Sequence, residues 1–133
     1  MNRLLSLAAL AVGLAGPAQA HHSFAMFDSA KQIEIEGTVK EFAWTNPHVG
    51  IYIVAAPKDG KPETVWTIEA TSPGNLSRMG WNKGTFKPGD RVKMTIRPLR
   101  SGEPGGAFSK ATLLDSGKEV TMRNEYPPDA GKN

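Results

Sequence analysis

The chain has 133 residues, a formal net charge of +3, 39% hydrophobic residues and no cysteine. That length holds one domain with a modest core. The missing cysteines exclude disulfides, thiolate ligands and thiol nucleophiles, and so mild a charge argues against a polyanionic partner.

Residues 1–20 read as a secretory signal. Arg3 supplies the positive start, Leu4 to Gly16 form an apolar run, and Pro17-Ala18-Gln19-Ala20 presents a small-residue cleavage site. The run is shorter than the roughly 20 residues a membrane-spanning helix needs. Cleavage after Ala20 would leave 113 of the 133 residues and lower the charge to +2, because Arg3 is the only charged residue removed. The expectation is a periplasmic protein with no membrane span after cleavage: an N-terminal arm over 21–31, one barrel domain over 32–123 and a frayed tail over 124–133.

The mature chain reads as strands. Ile33, Ile35 and Val39 alternate with polar residues, and the apolar parity then switches to Phe42 and Trp44. A bulge or bend between Gly37 and Glu41 would account for the switch. Asn46-Pro47 ends this strand. Val49, Ile51, Ile53 and Ala55 predict a second strand, Pro57 to Lys61 a hairpin turn, and Trp66, Ile68 and Ala70 the inward face of a third. Ser72-Pro73 through Gly80 has the cap, first-turn proline and glycine stop of a short helix. Val92, Met94 and Ile96 predict a fourth strand, and 107–114 a fifth. Val120 and Met122 are expected to close the sheet. The order predicts an all-β fold, a small OB-like β-barrel of five to six strands with one short helix between strands three and four.

The chain has three histidines: His21, His22 and His48. Cleavage after Ala20 would give His21 a free α-amine beside its imidazole, a chelating pair for a transition metal. His22 or His48 could complete a nitrogen set suited to Cu(II), resembling the histidine-brace geometry of some exported copper proteins. Met26, Asp28 and Glu34 are near enough in sequence to add a ligand. These residues also have plain readings: a solvated terminal pair, and a His48 on the outer face or bonded to its turn.

Trp44-Thr45-Asn46-Pro47-His48 is the densest cluster. It could be a ligand platform built on Trp44 and Asn46, or a strand end in which Trp44 fills the barrel mouth and Asn46 makes a turn. The second reading is the simpler one. Trp66 and Trp81 read as core residues. Asp28, Glu34, Glu36, Glu41 and Glu69 are the carboxylates acid–base chemistry would draw on, but 34, 36 and 41 alternate outward on a strand. With no nucleophile elbow and no phosphate loop, the sequence leans against an enzyme and names no catalytic residue.

His21-His22-Ser23-Phe24-Ala25, Phe27-Asp28, Gly37-Thr38-Val39, Trp44 to His48, Ser72-Pro73, Gly80-Trp81 and Lys87-Pro88-Gly89-Asp90 occur in one order. This pattern resembles a family of small exported bacterial proteins, domain of unknown function 6152. The resemblance implies export and one compact domain and brings no activity with it. The family pattern often has an aromatic or larger residue after the NPHV segment. Gly50 stands there in this chain, which thins one side of a platform at Trp44. The expectation is a periplasmic binding protein, with copper as the concrete ligand and an unspecified small ligand or periplasmic protein as partner, and without nucleic acid. The alternative is a protein–protein interaction module of the cell envelope that uses no metal.

Overall fold

A computed structural model describes residues 24–56 and 60–122. After a 3-10 turn at Phe24–Met26 come β1 (Ile33–Ala43), β2 (Gly50–Ala55), β3 (Thr64–Glu69), a helix α1 (Pro73–Arg78), β4 (Arg91–Pro98), β5 (Gly105–Leu113) and β6 (Glu119–Thr121).

β1 is long enough to serve two neighbours. Its first half pairs antiparallel with β4, from Ile33 opposite Ile96 to Thr38 opposite Arg91. Its second half pairs with β2, from Gly37 opposite Ala55 to Ala43 opposite Gly50. The expected bulge is present: Val39 faces Ile53 and Glu41 faces Tyr52, which leaves Lys40 as the extra residue. The bulge carries the inward side from Val39 over to Phe42.

β2 pairs with β3, and β4 with β5. The ring then closes where β3 runs parallel to β5, through Thr67–Gly105, Ile68–Gly106 and Glu69–Ala107. β1-β2-β3-β5-β4-β1 is a closed five-stranded barrel with α1 between its third and fourth strands, the topology of an OB fold. The last described strand, β6, does not close it, contrary to the sequence-based expectation. β6 pairs with β5 alone and extends the sheet outside the ring. Three residues with one inward side chain, Val120, are enough to add a strand but not to bridge two.

Alternation explains the core. Val49, Ile51, Ile53, Ile68, Val92, Met94 and Ile96 are all fully buried. Around one end Phe86 meets Phe42 and Phe108 edge to face, and the Trp81 and Phe108 rings are centred 5.0 Å apart at 88°. α1 covers this end and buries Leu76. Ser72 is its N-cap, and its side chain accepts from Asn75 N at 3.3 Å. Gly80 follows the helix at φ +86°, a conformation that favours glycine. Ser72→Ala should cost about 1 kcal/mol of stability, read as a small fall in the urea midpoint with an unchanged slope.

Candidate functional site

The β1–β2 connection and the end of β3 form one site. Val49 N donates to Thr71 O and Ala70 N to Val49 O, so the two backbones run side by side past the last ladder pair, Gly50 opposite Glu69. This places His48 Nδ1 2.7 Å from Glu69 Oε1, with each side chain 37% exposed. In that contact Nδ1–H is the donor and the Glu69 carboxylate the acceptor. A carboxylate holding a histidine in this way fixes both tautomer and ring direction.

The rest of the site is small. Ala43, Thr45, His48, Gly50, Tyr52 and Thr67 line a cleft of about 160 Å³ on the outer surface. A side chain at Gly50 would meet the ring of Tyr52 at 3.3 Å. Tyr52 therefore occupies the space beside His48 that the missing side chain leaves. The peptide before Pro47 is cis, and Thr45 Oγ1 donates to His48 O at 3.5 Å.

The other candidates fall in different places. His21 and His22 lie outside the described residues. Trp44 is half-buried, with its ring centred 5.7 Å from that of Phe42, so it packs on the core cluster, while Asn46 is exposed in the turn. Of the suggested extra ligands, Glu34 pairs with Lys93 at 3.0 Å. Asp28 holds the arm's turn: its carboxylate accepts from Ala30 N and lies 3.5 Å from Lys31 Nζ. Met26 is 44% exposed. Among the described residues no three His, Asp or Glu side chains converge on one point.

The described end of the arm is tied down. Phe27 is buried and bridges Leu99, Arg100 N donates to Met26 O at 2.9 Å, and Arg100 Nε donates to Ala25 O at 3.0 Å. Leu99 N in turn donates to Gly105 O, and Gly105 is the ladder partner of Thr67. The arm is thus anchored on the side of the barrel where β5 meets β3.

The strands and the site together define a small OB-type barrel with a histidine–carboxylate pair at the end of its third strand. The chain belongs to the family of unknown function DUF6152, which matches residues 9–111. No curated protein matches the sequence. Two crystal structures of the mitochondrial single-stranded DNA-binding protein Rim1 from S. cerevisiae, one of them selenomethionine-labelled, are similar in shape. Each is 13% identical, with a TM-score of 0.48, and the match covers 63% of this chain and 93% of that one. The OB assignment here rests on this chain's own strand order.

Proposed function

We propose that this is an exported, periplasmic copper-binding protein whose ligands are the α-amine and imidazole of His21 together with His48 and His22. The observation that carries the reading is the 2.7 Å contact between His48 Nδ1 and Glu69. A carboxylate on one ring nitrogen is the arrangement that orients the imidazole in carboxylate–histidine–metal triads. OB barrels carry ligands on strands two and three and the adjoining loops, and His48 borders that face. Single-stranded nucleic acid would call for aromatic platforms in a positive groove, whereas this face pairs Tyr52 with Thr67 and Glu41 and ends at Glu69.

Cu(II) titration of protein whose N-terminus is verified as His21 tests the reading. His48→Ala and His21→Ala should each weaken binding on the order of 100-fold, and Glu69→Ala by about tenfold. Adding one alanine before His21 should act like His21→Ala, because it destroys the amine–imidazole chelate. Wild-type affinity in both histidine variants would end the proposal.

A second reading, a metal-free interaction module of the envelope, draws on Val65. This residue is 42% exposed on the half of β3 that lies beyond the pairing with β5. Partner capture that survives a chelator and is lost in Val65→Lys would favour it.

A further inference from the structure

A second concavity shares no residue with the His48 cleft. It is a groove of about 770 Å³ on the outer surface of β1, β4, β5 and β6. Glu34 faces Thr95, Thr95 faces Lys110 and Lys110 faces Thr121, so four side chains form one row across the four strands. Arg97 lies two residues from Thr95 on the same face of β4 and also lines the groove.

The charges there are unevenly matched. Glu34 is paired with Lys93 at 3.0 Å, and Glu119 with Lys110 at 3.3 Å. Arg97 is exposed and has no ion pair among the described residues, so the groove keeps one uncompensated guanidinium. The second anomaly is Ser109. Thr95 faces Lys110 while Ile96 faces Phe108, which makes Ser109 the extra residue of a bulge. Its Oγ is shielded from solvent and has no hydrogen-bond partner among the described residues. A shielded hydroxyl without a partner costs free energy, so the bulge is kept at a cost in stability, and bulges are often found beside binding sites, where they re-aim neighbouring side chains.

We propose that this groove binds a small hydroxyl-bearing carboxylate of the sugar-acid class. A planar guanidinium recognises a carboxylate with two parallel bonds. The carboxylates of Glu34 and Glu119 in the wall disfavour a more highly charged anion. Thr95 and Thr121 offer hydroxyls to a polyol, and the volume falls in the range of small-molecule sites, about 300–1,000 Å³.

The test is an NMR titration of the mature protein with glucuronate, with glucose and acetate as controls. Glucuronate should produce saturable shifts at the amides of Thr95, Arg97, Ser109 and Lys110, with each control weaker by about tenfold or more. Arg97→Gln should weaken glucuronate binding by about tenfold while the spectrum stays folded. Shifts that fail to saturate, that persist in Arg97→Gln, or that acetate reproduces equally would overturn the proposal, the last by reducing the groove to an adventitious ion site.

Discussion

Phe108→Ala is expected to remove about 3–5 kcal/mol of unfolding free energy. Phe108 is 1% exposed and stands among the rings that fill the helix-covered end of the barrel. Its ring meets Trp81 at 5.0 Å and Phe86 at 6.4 Å, both edge to face. Truncation loses the transfer free energy of the ring, leaves a cavity, and forfeits two ring–edge contacts worth about 0.5–1.5 kcal/mol each. Domains of this size are stable by roughly 5–15 kcal/mol, so the change takes a large share. Urea unfolding followed by tryptophan fluorescence should show a much lower midpoint with an unchanged slope. A loss below about 1 kcal/mol would mean that the ring cluster does not anchor this end.

Gly37→Ala should lower the melting temperature by about 15 °C, because overpacking of about 3 kcal/mol falls on a domain of some 100 residues. Gly37 is opposite Ala55 of β2 and also opposite Val92 of β4, at the point where β1 passes from one partner to the other. A Cβ there would collide with the carbonyl oxygen of Val54 and stand 2.9 Å from the Cα of Ala55. Both obstacles are backbone, so no rotamer change relieves them and the β1–β2 ladder must shift. A thermal melt followed by circular dichroism checks this, and a variant melting within a few degrees of wild type would show that the strand can give way.

What could be read in advance was local. The parity switch between Val39 and Phe42 announced the bulge, Ser72-Pro73 and Gly80 announced the capped helix, and the alternation of Val49, Ile51 and Ile53 announced a buried strand. Closure of the barrel left no such trace. It joins Thr67 to Gly105 across a long stretch of chain through a short parallel ladder, and neither segment carries a periodic signal for it. For the same reason Val120 looked like the closing residue. The partner of His48 is an intermediate case. Glu69 stood out only as one carboxylate among several, yet the antiparallel pairing of β2 with β3 puts Gly50 opposite Glu69 and so brings His48 to the same strand end. The signal lay in the register, a property of two strands together. Trp44 was ambiguous because an aromatic at a strand end serves a platform or a core equally well; its ring packs against Phe42.

The parallel link between β3 and β5 is the shortest in the ring, three residue pairs with glycine in two of them, and Glu69 is its last member. Short ladders open at less than the full cost of unfolding. Each opening of this seam strips the strand end that carries Glu69 of one of its two neighbours and leaves it held by β2 alone. Site and seam are therefore thermodynamically linked. Any ligand gripped by the oriented imidazole favours the closed ring and raises its stability in proportion to occupancy, and a barrel that breathes more at Gly105 and Gly106 holds that ligand less tightly.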